Sequence, residues 1–208
     1  MNVLAIGAHP DDVEYGCGGS LLRFAGAGHG VYLFVATGGE EGGEAAVRRR
    51  EQEASARLLG AAKTFWGGYA DTRLPLKQEL ISKIESVVSE VQPSLIFGHA
   101  PSDTHQDHRV LADATLSATR YTKNVLLYEV PTTEHFMPTI FISIRDTLER
   151  KIEALRAHES QVDKTRIEDL DIVTIARSNA NFRGIQGRTT YAEAFLPVRY
   201  AVEPAPGE

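Results

Sequence analysis

Residues 2–12 read "NVLAIGAHPDD", and this stretch decides the fold. Asn2–Ala8 is short, apolar and without alternation, the pattern of a strand buried on both faces. The run stops abruptly at His9, Pro10, Asp11 and Asp12. Adjacent carboxylates repel, so an imidazole and two acids crowded at a strand tip point to a cation that offsets the repulsion.

Working outward, strands and helices alternate. Gly16–Ala27 reads as a helix with Leu21, Leu22 and Ala25 on one face, and Val31–Ala36 as a second buried strand. Ala45–Leu59 is a helix ended by Gly60, and Lys63–Trp66 a short third strand. Pro75–Val91 carries Leu80, Ile81, Ile84, Val87 and Val88 near helical spacing. Ser94–Gly98 reads as a fourth strand, Asp107–Thr119 as a helix and Val125–Val130 as a fifth strand. Beyond Pro138 follow an apolar run Thr139–Ile144, a helix near Asp146–His158, a further helical stretch and a last strand around Glu193–Tyr200. This order implies a Rossmann-like α/β fold, a three-layer sandwich about a mostly parallel sheet. One domain over 1–208 is expected, with 203–208 a frayed tail. In open parallel sheets ligands bind at the carboxyl ends of the strands. "AHPDD" (8–12), "TGGEEGG" (37–43) and "GHAPSDTHQDH" (98–108) end three strands and so meet at one edge.

Composition narrows the function classes. Hydrophobic residues make up 42% of 208, enough for one sizeable core. A net charge of -6 gives no global basic footprint for nucleic acid. The one basic cluster, Arg48 to Arg50, is flanked by Glu44, Glu51 and Glu53 and reads as mixed helix surface. A single cysteine, Cys17, excludes an internal disulfide and fits a reducing compartment. No apolar stretch approaches the roughly 18 residues of a membrane span. The start of the chain has no signal-type pattern, so a cytoplasmic protein is expected.

His9 and Asp12 stand three residues apart, and His105 and His108 repeat the spacing. Imidazole and carboxylate suit zinc, whose catalytic sites combine three protein ligands with an open position. Each motif alone has a bland reading, a turn or helix cap for Asp-Asp and a surface helix for His-x-x-His. Together, at the ends of strands expected to be neighbours, they argue for a metal site far more strongly than either does alone.

The stretches "GAHPDDVEYGCGGSL" and "PSDTHQDHRV" resemble the LmbE-like, or PIG-L, family of zinc-dependent N-acetyl sugar deacetylases. The similarity extends to "TGGEEGG", "RRREQEASARLLG", "KIEALRAHESQ" and "YAEAF", and so spans essentially the whole chain. It implies His9, Asp12 and His108 as ligands of Zn2+, with Fe2+ or another divalent ion as an alternative. It implies Asp11 as the general base and His105 as the group that, protonated, stabilises the oxyanion and helps protonate the leaving amine. Asp107 would orient and charge His105.

The resemblance also suggests substrate contacts. Arg48, in an Arg-x-x-Glu pair with Glu51, and Asp71 match family residues that meet sugar hydroxyls. The alternatives are a surface ion pair and a loop cap. Asp103 stands where some members place a tyrosine that assists the oxyanion; an ionised carboxylate cannot, which leaves more of that work to His105. Glu14 and His158 read as scaffold, and His99 as a bland neighbour of the pocket. The implied substrate is an N-acetylglucosamine-type amino sugar or its conjugate, or else a non-sugar amide. Family members form trimers or hexamers, and at 208 residues a neighbouring subunit is a candidate to complete an abbreviated pocket. A nucleotide-binding reading of "GCGGS" (16–20) competes, although neither Gly-x-Gly-x-x-Gly nor a phosphate-loop pattern is present. A non-catalytic scaffold that keeps the fold is the third reading.

Overall fold

The computed structural model describes residues 1–201, so the tail expected at 203–208 lies outside the described residues. Seven strands form one sheet in the order β3-β2-β1-β4-β5-β7-β6. They are β1 (Asn2–Gly7), β2 (Gly30–Thr37), β3 (Lys63–Tyr69), β4 (Leu95–His99), β5 (Val125–Tyr128), β6 (Ile140–Ser143) and β7 (Ala192–Arg199). The first five are parallel, while β7 runs antiparallel to both β5 and β6. Six helices connect them: α1 (Asp12–Gly26), α2 (Ala45–Leu59), α3 (Gln78–Val91), α4 (Gln106–Ala118), α5 (Leu148–Arg156) and α6 (Ile172–Gln186). The α/β expectation is met.

Alternation along β1 explains the two cores. Val3 and Ala5 join one apolar cluster with Leu21, Leu59, Ile152 and Phe195. Leu4, Ile6 and Ala8 join another with Leu80, Ile84 and Leu111. Successive side chains of a strand point to opposite faces, so an unbroken apolar run is what a doubly covered strand requires. Helices α1, α2, α5 and α6 pack together on one side, and α3 with α4 on the other. Each fully buried Leu or Ile contributes about 1.5–3 kcal/mol.

Strand order reverses between β1 and β4: β2 and β3 extend the sheet one way, β4 and β5 the other. That is the topological switch point, where the loops beyond adjacent strands diverge and leave a crevice. The loops after β1 and β4 carry the two histidine motifs.

Some boundaries differ from the sequence expectation. Helix α1 begins at Asp12 instead of Gly16, because the Asp12 carboxylate accepts the Ala8 and His9 amides and closes the turn at once. The glycines within α1 serve packing: a methyl at Gly16 would overlap the Tyr128 ring, and one at Gly19 would sit 2.7 Å from Ile144. Helix α3 begins at Gln78, after Pro75. The preceding segment is drawn toward the start of α4, where the Leu74 amide donates to Asp107. No helix among the described residues is long and apolar enough to cross a membrane.

Candidate metal and hydrolase site

At the switch point three donors converge. His9 Nδ1 lies 3.2 Å from His108 Nε2 and 3.4 Å from Asp12 Oδ2, and His108 Nε2 lies 3.4 Å from Asp12 Oδ1. Ligands about 2.1 Å from a tetrahedral ion stand about 3.4 Å apart; each histidine has that spacing to a different oxygen of Asp12, and two imidazoles with one carboxylate are a donor set that zinc accepts. His105 also comes within 4.8 Å of His9 and His108, as does His99 of Asp12 and His108, so the cluster is rich in alternative donors.

The far nitrogen of each histidine is held by carboxylate. His9 Nε2 is 2.9 Å from Asp71 Oδ1 and 3.4 Å from Asp107 Oδ2. His108 Nδ1 is 3.2 Å from Asp103 Oδ1. A carboxylate behind an imidazole fixes its tautomer and raises its basicity, the usual support of a metal-binding histidine. Burial works against charge on His9, yet Asp107, Asp12 and Asp71 hold its pKa well above the ordinary value. Burial likewise opposes charge on His108, but Asp12 and Asp103 hold it up at about 9.

The placement of three acids bears on the sequence expectations. Asp71 is buried with its carboxylate on His9 and on the Glu41 amide, and it also lines the open cavity. Asp103 is committed to His108, to the His105 amide at 2.8 Å and to the Thr133 hydroxyl at 2.9 Å. The Asp107 carboxylate accepts from the Thr72 and Leu74 amides and faces His9, so it braces His9 instead of His105. Asp71 and Asp103 lie in loops and Asp107 in the first turn of α4, and only the folded chain shows which imidazole each one meets.

Asp11 and Asp12 are adjacent but unlike. Burial would raise the pKa of Asp12, but His108 and His99 outweigh it and hold the carboxylate well below its usual range. Asp11 takes a left-handed backbone conformation with φ 98°, uncommon without glycine and a form of strain that recurs at active sites. That conformation turns its carboxylate away from the metal cluster and toward Arg48 Nη2 at 3.1 Å. Burial pushes the Asp11 carboxyl up to about 6, against the pull of Arg48.

Arg48 is itself buried and donates to the Pro10 and Gly39 carbonyls at 2.7 and 2.8 Å. It therefore fastens the β1 turn to the loop after β2. Its anticipated partner Glu51 turns instead to the Ser160 amide and hydroxyl. Gln52, one turn beyond Arg48, accepts the Asp11 amide at 3.2 Å and donates to Glu14 at 2.7 Å. Sequence reading passed over Gln52; its spacing of four from Arg48 on one helix face was the available signal.

His105 precedes α4 and its Nδ1 accepts the Asp107 amide at 3.2 Å. The neutral ring therefore carries its proton on Nε2. Burial, then His9 and His108, lower its pKa. His99 is more than a bland neighbour: it is fully buried, stacks on His108 at 4.2 Å and has Nε2 3.1 Å from Asp12 Oδ2. Burial above all, then His108, lowers its pKa to about 4, so it stays neutral. Cys17 is buried, which pushes its thiol well up and leaves it an inert packing residue.

An open cavity of about 580 Å³ exposes this cluster to solvent, lined by His9, Asp11, Asp12, Arg48, His105 and His108. Its outer wall includes Lys164, Arg166, Ile167 and Ile172, so the C-terminal part of the same chain does help to close it.

The fold and site together define an α/β protein with a His-Asp-His cluster that could hold a metal ion at a topological switch point. Residues 4–119 match the family described as PIG-L: GlcNAc-PI de-N-acetylase, and the chain belongs to this family. It is 36% identical over 167 residues to the uncharacterized deacetylase YaiS of Escherichia coli K12, covering 76% of this chain and 90% of that one. It is 29% identical over 185 residues to diacetylchitobiose deacetylase of Thermococcus kodakarensis, covering 76% and 69% of the two chains. Among solved structures, N,N'-diacetylchitobiose deacetylase from Pyrococcus horikoshii superposes with a TM-score of 0.84 at 28% identity, covering 95% of this chain and 83% of that one.

Proposed function

We propose that the chain is a divalent-metal-dependent N-deacetylase that removes acetyl from an N-acetylglucosamine-type amino sugar or its conjugate, with zinc as the ion. The reading rests above all on one juxtaposition: His9, Asp12 and His108 converge at 3.2–3.4 Å, while the next carboxylate, Asp11, is turned off that cluster into the same cavity. Family membership and the deacetylase names of the relatives support it.

An ion held by His9, Asp12 and His108 supplies Lewis acidity, acidifying water and polarising an amide carbonyl. The rest is the work of this chain. Asp11, with a carboxyl at about 6, is ionised at neutral pH yet basic enough to take a proton from the attacking water. Arg48 and Gln52 fix the direction of that carboxylate and its backbone. His105 lines the cavity and offers its Nε2–H to the oxygen that becomes negative. The proton gained by Asp11 is then available to the departing nitrogen, releasing acetate and a free amine. The 580 Å³ cavity lies within the size range of small-molecule sites, and Glu41 and Arg166 at its exposed rim are positioned to meet sugar hydroxyls.

The nucleotide-binding reading loses its motif, since Gly16 and Gly19 are spent on contact with Tyr128 and Ile144. A cytoplasmic location and a trimer or hexamer remain part of the proposal, the first supported by a lone buried thiol. The test is metal analysis of the purified protein, with acetate release from N-acetylglucosamine conjugates by wild type and Asp11→Asn. Metal retained with turnover abolished in the variant is expected. An Asp11→Asn protein of wild-type activity would overturn the assignment.

A further inference from the structure

Beside the open cavity a groove of about 550 Å³ runs along the first half of α6. Val130, Pro131, Ile167 and Ile175 line both, so the groove is an extension of the site. Beyond them it is walled by Leu170, Phe182 and the buried Tyr15. Its polar side chains are largely spent on one another. Glu129 takes the Arg183 guanidinium on both oxygens at 2.6 Å and the Asn179 amide at 3.2 Å. The Thr133 hydroxyl donates to Asp103 and accepts the Val130 amide, while Ser178 stands at the exposed rim. Arg183, fixed by Glu129, lies 5.2 Å from the centre of the Phe182 ring and so braces it. Yet Ile167 is 58% and Phe182 54% exposed. Scattered singly such residues need no explanation; gathered along a groove that opens on a site, they mark a binding surface.

With its acetamide at the metal cluster, a sugar occupies the open cavity, and the group it carries must leave past one of the cavity walls. Glu41, Lys164 and Arg166 make one wall charged, whereas the apolar wall at Val130, Pro131, Ile167 and Ile175 leads into the groove. A polar group entering there would meet donors and acceptors already engaged, and an apolar one would cover Ile167 and Phe182. Resting on the deacetylase reading above, we propose that the groove is an aglycone site, and that the substrate is a dissolved N-acetylglucosamine-type glycoside whose aglycone is an apolar alkyl or aryl group. Water adds across the amide C–N bond to give acetate and the amine, and the glycosidic bond stays intact.

The test compares methyl and octyl N-acetylglucosaminide, in submicellar solution, with the metal-supplemented protein, reading kcat/KM from acetate release. A fully buried methylene is worth about fourfold, and a groove open on one side covers about half of it, so kcat/KM should rise about 100-fold from methyl to octyl. Phe182→Ser and Ile167→Ser, both at exposed positions, should each lower the octyl-to-methyl ratio at least about fivefold. Tyr121→Ser, exposed ahead of β5 at the opposite end of the sheet, should leave the ratio unchanged. Calorimetric titration with the product amines gives a readout without catalysis: octyl glucosaminide should bind more tightly than methyl glucosaminide, and Phe182→Ser should narrow the difference. Equal kcat/KM for the two glycosides, or a ratio unmoved in both groove variants, overturns the aglycone site and leaves N-deacetylation standing. An oligomer that Phe182→Ser dissociates in sedimentation, with the ratio unmoved, assigns the groove to a second copy of the chain and likewise overturns it. Tighter octyl glucosaminide binding that Phe182→Ser weakens, with no acetate released from either glycoside, supports the groove and overturns the hydrolase reading.

Discussion

Replacing Asp71 separates two roles that the sequence left open. If it meets sugar hydroxyls, Asp71→Asn raises KM and leaves metal binding alone. In the structure its carboxylate is buried 2.9 Å from His9 Nε2, opposite the nitrogen that faces Asp12 and His108. Removing a carboxylate behind a metal-binding histidine weakens metal affinity by about 10–100-fold. Asparagine keeps an acceptor oxygen for the Nε2–H but loses the charge, and Asp107 remains 3.4 Å away as a second acceptor. The loss for Asp71→Asn should therefore lie near the lower bound, about tenfold or 1.4 kcal/mol. Asp71→Ala also removes the acceptor of the Glu41 amide and should approach 100-fold. Competition against a chromogenic chelator measures both. Wild-type metal affinity in both variants, with KM raised, would refute the positioning role and restore Asp71 to the substrate.

Three further outcomes follow from the same geometry. Because burial raises the Asp11 carboxyl to about 6 and a base must be ionised to act, kcat/KM should be level above that pH and fall about tenfold per unit below it; a profile flat down to pH 4 would exclude Asp11 as the base. In the metal-free protein Asp12 and Asp103 hold the His108 pKa at about 9, so metal uptake should release its proton and tighten as pH rises. Calorimetry in buffers of different ionisation enthalpy measures that release. Gly16→Ala should destabilise the fold by about 1–3 kcal/mol, read by thermal denaturation, because its methyl would overlap Tyr128.

What was legible in the sequence was whatever local pattern dictates. The apolar run of β1 and the tight motif "AHPDD" gave strand, turn and donors together, since a buried strand and a ligand pair three residues apart are short-range facts. The cluster His9, Asp12, His108 could be anticipated because strand order places those loops side by side. The roles of Asp71, Asp103 and Asp107 were not, because each depends on which long-range imidazole its carboxylate meets across 30 or more residues or a turn. His99 was missed for the same reason: it ends a strand with no partner nearby in sequence, and its environment is Asp12 and His108 from two other segments. The later start of α3 also followed from a distant tie, the Leu74 amide to Asp107.

The pair at 11–12 shows how one dipeptide supplies two opposite carboxylates. Asp12 starts α1, where backbone amides of Ala8 and His9 and three imidazoles surround it. Against burial, the imidazoles hold it as the anion, so it is a poor proton acceptor. Asp11 lies one residue earlier and outside the helix, and a right-handed backbone there would carry its side chain back along the helix entry. The left-handed turn, φ 98°, sends it into the cavity instead, where a single guanidinium balances it only in part. Such a conformation costs about 1–3 kcal/mol, and the surrounding ties at Pro10, from Arg48, and at the Asp11 amide, from Gln52, are what keep it in place. Gln52→Ala should therefore lower kcat more than metal affinity, because it frees the backbone of the base without touching the ion's donors. Equal losses in both would mean that the two aspartates move as one unit.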